Sequence, residues 1–170
     1  MDTRCRRCPG SRTGRTRCRP DRLLVGGAPA IPRSGPLGGS VGDAEILLDT
    51  NILISPPAEW PEGEVLGSSI ISLAELHFGI RSSASEEIRR QRVRRLAVWR
   101  ELMDWLLFDE PAAESYGELA AKVRSLRPQH ARSKDIMIAA QAHSLGIPLM
   151  TRNAKDFELV SDVVEILEVE

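Results

Sequence analysis

Cysteine is confined to Cys5, Cys8 and Cys18, and none follows in the rest of this 170-residue chain. That excludes a disulfide framework for the bulk of the protein and fits a reducing compartment such as the cytoplasm. Cys5 and Cys8 have zinc-ligand spacing, but a structural site takes four ligands and no fourth Cys or nearby His follows, so reduced thiols are expected. Long apolar runs are also missing. None approaches the ~20 residues that span a membrane, which predicts a soluble chain. "LLVGG" at Leu23 to Gly27 is shorter than the apolar core of about 7 to 15 residues in a secretory signal.

Net charge is nearly absent as well, at −1, but the sum conceals two kinds of material. Residues 1–43 carry nine arginines against Asp2, Asp21 and Asp43, a balance of +6, whereas residues 44–170 carry 14 basic and 21 acidic side chains, a balance of −7. The first stretch is rich in Gly, Pro, Ser and Arg and has neither helical nor strand period, so it is expected to be a disordered basic tail. It reads as an over-extended reading frame whose true start lies near Val41. A disordered arm adding phosphate contacts is the second reading and a targeting peptide the third. At 170 residues the chain is long enough for one domain with a sizeable core, and its 42% hydrophobic and 28% charged residues are an ordinary globular profile; that domain is expected over 44–170.

Within 44–170, strand and helix signals alternate. Ile46, Leu47 and Leu48 form a continuous apolar run suited to a strand buried on both faces, followed by a short helix over Asn51 to Ser55 that Pro56 and Pro57 stop. "EVLGSSI" (Glu64 to Ile70) reads as a second strand and the next helix starts at Ser72, with Glu75 at capping-box spacing. A further helix spaces Val93, Leu96, Trp99 and Met103 at three- and four-residue steps beneath a crowd of arginines. Trp105 to Phe108 reads as a third strand, and Pro111 opens a helix with Tyr116, Leu119, Ala120 and Val123 inward. Ser133 caps "KDIMIAAQAHSLG", which Gly146 stops; "IPLMT" and "VVEILEV" supply the last two strands. The prediction is an α/β fold of three layers, α/β/α, around a central parallel sheet of four to five strands, with ligands at the strands' carboxyl ends.

Four acids fall near that edge: Asp49 after the first strand, Glu75 one turn into the helix after the second, Asp135 in the first turn after Ser133, and Asp156 after the fourth strand. If they converge, mutual repulsion raises their pKa values unless a cation compensates, and hard oxygen ligands suit Mg²⁺ or Mn²⁺. Each acid also has a plain structural reading: Asp49 as a cap, Glu75 in a capping box with Ser72, Asp135 facing a helix dipole, Asp156 in a turn.

"LLDTNIL", "SLAELHFG" and "RSKDIMIAAQAHSLGIPLMTRNAKDF", in this order, resemble the PIN-domain nucleases, and most of all the VapC toxins of bacterial VapBC toxin-antitoxin pairs. The similarity runs from about Glu45 to Val169. It implies that Asp49, Glu75, Asp135 and Asp156 hold a divalent metal, and that Thr50, Asn51, Thr151 and Asn153 orient these acids or the metal's waters. It further implies metal-dependent cleavage of structured RNA such as transfer RNA, a VapB-like antitoxin as partner, and a homodimer. The basic amino-terminal segment is the one departure, since typical members start a few residues before the first strand.

Other readings stay open. Arg89 and Arg92 on the arginine-rich helix, with Arg132 and Arg152, are candidate RNA contacts, but a solvated helix face explains the former equally well. His77, His130 and His143 are assigned no role. A haloacid dehalogenase-like phosphatase would use Asp49 as nucleophile but usually has a second Asp two residues on, where this chain has Asn51. A non-catalytic RNA- or protein-binding module on the same fold is the remaining alternative.

Overall fold

The computed structural model describes residues 44–61, 64–131 and 133–170. The expectations for residues 1–43, including the three cysteines, and for Arg132 lie outside the described residues. The elements run β1 Ile46–Leu48, α1 Thr50–Ile54, β2 Leu66–Ser69, α2 Ile70–Arg81, α3 Glu86–Leu102, β3 Asp104–Leu106, α4 Glu110–Leu126, α5 Lys134–Leu145 and β4 Leu149–Thr151. A 3-10 helix, Ala154–Val160, and β5 Ile166–Glu168 complete the order.

The strands form one parallel sheet in the order β3-β2-β1-β4-β5. Neighbouring strand residues point to opposite faces, and that divides the core in two. Leu47 and Leu149 face α4, α5 and the 3-10 helix through Leu119, Val123, Ile136, Ala139 and Phe157. Ile46, Leu48 and Met150 face α1 and α3 through Ile52, Leu53, Trp99 and Leu102. Helices therefore cover both sides, as the continuous apolar run of β1 requires. From β1 the chain first builds outward to β2 and β3 and then returns to lay β4 on the other side. The switch lies between β1 and β4, and it opens a crevice beyond Leu48 and Thr151.

Local chemistry explains most boundaries. Asp109 and Ser133 cap α4 and α5 by accepting from the backbone amides of Ala112 and Ile136, and Gly146 ends α5 at φ 66°, where a side chain would be strained. Gly67 is needed for a different reason. A Cβ there would stand 2.8 Å from the Ala44 Cβ.

Three expectations are corrected. The cap of α2 is Ser69, whose Oγ accepts from the Ile71 amide at 3.0 Å, so Ser72 lies inside the helix, fully buried, and forms no capping box with Glu75. Pairing of Ser69 with Leu106 carries the sheet only that far, and helix starts where pairing stops. Val93 is 47% exposed rather than part of the inner stripe of α3, which begins at Leu96 and includes Leu102. The third strand is Asp104–Leu106, leaving Phe108 beyond it, edge-on to Tyr116 at 6.4 Å. No helix among the described residues is long and apolar enough to cross a membrane.

Candidate functional site

The crevice between β1 and β4 is built around one hydroxyl. Thr151 Oγ1, fully buried at the end of β4, donates to Asp49 Oδ2 at 2.8 Å and accepts from Asn51 Nδ2 at 2.9 Å and from the Asn153 amide at 3.1 Å. Asn51 completes the link from the other side, its Oδ1 accepting from the Arg152 amide at 3.1 Å. Asp49 ends β1 and caps α1, accepting from the Thr50 amide at 2.6 Å. The capping reading and the site reading of Asp49 thus describe one geometry, because the cap is what turns the carboxylate to the crevice.

The other acids gather around it. Thr50 Oγ1 donates to Glu75 Oε2 at 2.6 Å, and the Lys134 ammonium pairs with Oε1 of the same carboxylate. Asn153 Nδ2 donates to Asp156 Oδ2 at 2.6 Å. Asp135 sits half-buried in the first turn of α5. Burial pushes the Asp49 carboxyl up to about 6; hydrogen bonds from Thr151 and Thr50 oppose the rise, and the charges of Asp135 and Glu75 add to it. The Asp135 carboxyl is also raised, first by burial and then by the charges of Asp156 and Glu75, against the pull of Lys134 and His130. All four acids predicted from the sequence therefore lie within one electrostatic neighbourhood. Lys134 was missing from that prediction, although a lysine at the first position of a helix, against the dipole, is a signal that could have found it.

The donors are all hard oxygens carrying excess negative charge, which fits a divalent cation in kind. Each Asp49 oxygen accepts one hydrogen bond from the neighbours named above and keeps a second lone pair. As the side chains lie, no group of three or more His, Cys, Asp or Glu among the described residues is arranged to hold an ion. Glu75 is engaged with Thr50 and Lys134 instead.

The arginines of α3 are exposed except for the half-buried Arg95, and two of them reach the ends of neighbouring helices. Arg92 donates to the Gly79 carbonyl and Arg95 to the Ile54 carbonyl, satisfying the carboxyl ends of α2 and α1. Arg152 donates to the Ser55 carbonyl at 3.2 Å, while Arg89 pairs with Glu86 at 3.1 Å on the exposed face. Arg92 and Arg152 each use one nitrogen in this way, and a guanidinium carries further donors for an anion. His77 meets Arg100, and His143 meets Ser115 at 2.7 Å.

A consequence for stability follows from Asp49. The unfolded chain releases this proton near 3.8 and the folded chain near 6, so between those values the native state binds more protons. Stability of the metal-free protein should therefore fall as pH rises from about 4 to about 6 on account of this group, by up to about 3 kcal/mol. Urea denaturation across that range checks it against Asp49→Asn, in which this contribution should vanish. An unchanged pH profile in the variant would refute the burial argument.

A parallel α/β/α sheet with acids gathered at its topological switch defines a class, and the PIN-domain family model matches residues 46–163. The chain belongs to the PIN-domain family. Among characterised relatives it is similar to Ribonuclease VapC5 of Mycobacterium tuberculosis, 29% identical over 130 residues, which is 72% of this chain and 94% of that protein. Among solved structures it is similar to VapBC-5 of Mycobacterium tuberculosis, a member of the VapBC family of toxin-antitoxin systems. There the TM-score is 0.61 and the identity 28%, covering 74% of this chain and 99% of the other. It is also similar to VapBC-1 of nontypeable Haemophilus influenzae, at TM-score 0.57 and 26% identity, covering 72% and 96%. The VapC-type likeness carried by the three sequence motifs is thereby borne out.

Proposed function

We propose that this chain is the toxin of a VapBC-type pair: a divalent-metal-dependent endoribonuclease, working in the cytoplasm on structured RNA such as transfer RNA. The observation that carries the reading is the gathering of Asp49, Glu75, Asp135 and Asp156 at the β1/β4 switch, with the Asp49 carboxyl pushed up to about 6. Carboxylates gathered in this way are relieved by taking up protons or by a cation, and near neutral pH a divalent cation serves best. The names of the relatives, one a ribonuclease and others VapBC complexes, agree with it.

In this reading the four acids hold Mg²⁺ or Mn²⁺. The ion, when bound, would polarise the scissile phosphate and supply a water acidic enough to attack it near neutral pH. The chain's own contribution is positioning. Thr151 and the Thr50 amide fix both Asp49 oxygens, Thr50 fixes Glu75, and Asn153 fixes Asp156. Arg89, Arg92, Arg132 and Arg152 are the candidates for phosphate contact outside the acidic crevice, which repels RNA on its own. A VapB-like antitoxin inhibits by placing a cationic side chain among the acids, and the toxin assembles with it as a homodimer.

Purified full-length protein should cut RNA with Mg²⁺ or Mn²⁺ and stop in EDTA. Expression alone should arrest growth, Asp135→Ala should remove the arrest, and co-expression of an adjacent small antitoxin gene should restore growth. Cleavage that persists undiminished in EDTA would end the metal reading. Harmless high expression of a protein that cuts RNA in vitro would end the toxin reading and leave the nuclease.

A further inference from the structure

Lys134 occupies a place that the helix itself disfavours. It is the first residue of α5, where the amide dipoles concentrate positive charge and a cation is repelled. Among the described residues it is nevertheless the one cation ion-paired with any of the four acids, through Glu75 Oε1, and its charge also reaches Asp135. With Thr50 Oγ1 on Oε2, both Glu75 oxygens are engaged by the protein. Some interaction has to outweigh the helix repulsion, and the acids are what the ammonium faces. More than half of the Lys134 side chain is exposed, at 57%, so the ammonium is free to swing away into water.

We infer that Lys134 is the resident counter-ion of the acid cluster: it rests on Glu75 when no metal is bound and yields that carboxylate when a divalent ion enters. The inference depends on the metal reading given above. Its consequence is that the empty site is neither fully repulsive nor fully open. An entering ion competes with an ammonium for Glu75, and the lysine lowers metal affinity while stabilising the metal-free fold. Lys134 is thus a positioning residue that sets the metal concentration at which the site fills.

The test measures Mn²⁺ binding by calorimetry and metal-free melting on full-length wild type, Lys134→Ala, Lys134→Arg and Glu75→Gln. Without the ammonium that competes for Glu75, a half-exposed ion pair no longer has to be broken, and Lys134→Ala should bind Mn²⁺ about fivefold more tightly. The metal-free Tm of that variant should fall by about 2 to 4 °C, although alanine suits a helix start electrostatically better than lysine does. Lys134→Arg should stay near wild type. In a Glu75→Gln background, Lys134→Ala should change Mn²⁺ affinity much less, because the contact it relieves is gone.

A wild type that takes up no Mn²⁺ overturns the metal reading and the inference together. Wild type and Lys134→Ala binding Mn²⁺ within about twofold of each other would leave the metal site standing and overturn the inference alone. So would a metal-free Tm in Lys134→Ala that is unchanged or raised, which is what relief of the helix pole by itself would produce.

Discussion

Asp49→Asn should lose at least about 100-fold in RNA cleavage while the protein becomes more stable. The two effects have opposite signs for one reason. The carboxylate is buried, 5% exposed, and its proton is held up to about 6, so at pH 7 the metal-free protein bears the cost of an ionised group that burial disfavours. Asparagine keeps the shape and removes the charge. Complete relief would be worth about 3 kcal/mol. The new amide, however, must meet the Thr151 hydroxyl, which already accepts from Asn51 and Asn153, so about 1 to 2 kcal/mol is expected. Activity moves the other way. Outer-shell partners of metal ligands already contribute about 10- to 100-fold, and a ligand itself contributes no less. Single-turnover cleavage at saturating Mg²⁺ together with urea denaturation measures both. Wild-type cleavage rates in this variant would remove Asp49 from the site, and a loss of stability would remove the account of its burial.

Trp99→Ala should be the most damaging change to the fold, costing about 3 to 5 kcal/mol, a large share of the ~5 to 15 kcal/mol that holds a domain together. Trp99 is 1% exposed and lies edge-on to Trp60, with ring centroids 6.0 Å apart. Its Nε1 donates to the Leu53 carbonyl at 3.0 Å. That bond, with Arg95 on the Ile54 carbonyl and Arg152 on the Ser55 carbonyl, pins the carboxyl end of α1. The amino end of the same five-residue helix carries Asp49, Thr50 and Asn51. A helix so short has no stability of its own, and its direction is set by packing on α2 and β4 together with the Trp99 side chain of α3. Trp99→Phe, which keeps most of the packing and loses the hydrogen bond, should cost about 1 to 2 kcal/mol and lower cleavage more than its stability loss explains. The urea midpoint should fall in both variants with an unchanged slope. A cost below about 1 kcal/mol for the alanine variant would show that α1 is held by something else.

Much of this architecture was legible along the chain because the signals are local. The run Ile46, Leu47, Leu48 announces a strand covered on both faces, Ser133 and Gly146 bracket α5, and Asp49, Glu75, Asp135 and Asp156 could each be placed at a strand end or helix start by counting. The failures share a cause. "GSSIIS" contains three serines able to cap a helix, and nothing local chooses among them; pairing of β2 with β3 carries the strand through Ser69 and so selects that residue. Periodicity starts the stripe of α3 one turn too early, at Val93, because it gives the inward face of a helix without giving the point at which it meets the sheet.

The amino-acid sequence by itself therefore determined the order of elements, the parallel α/β class and the acids at its carboxyl edge, since helix period, apolar runs and caps act within a few residues. Beyond the local contacts of Asp49 with the Thr50 amide and of Asp156 with Asn153, tertiary structure decided what those acids meet. Thr151 reaches Asp49 across 102 positions, Asn51 reaches Thr151 across 100, and Thr50 reaches Glu75 across 25. Lys134 comes to Glu75 only because α2 and α5 close on the same crevice. Such pairings depend on the strand order β3-β2-β1-β4-β5, which places β4 beside β1. A hydrogen bond between side chains a hundred residues apart leaves no period or spacing in the chain for a local reading to detect.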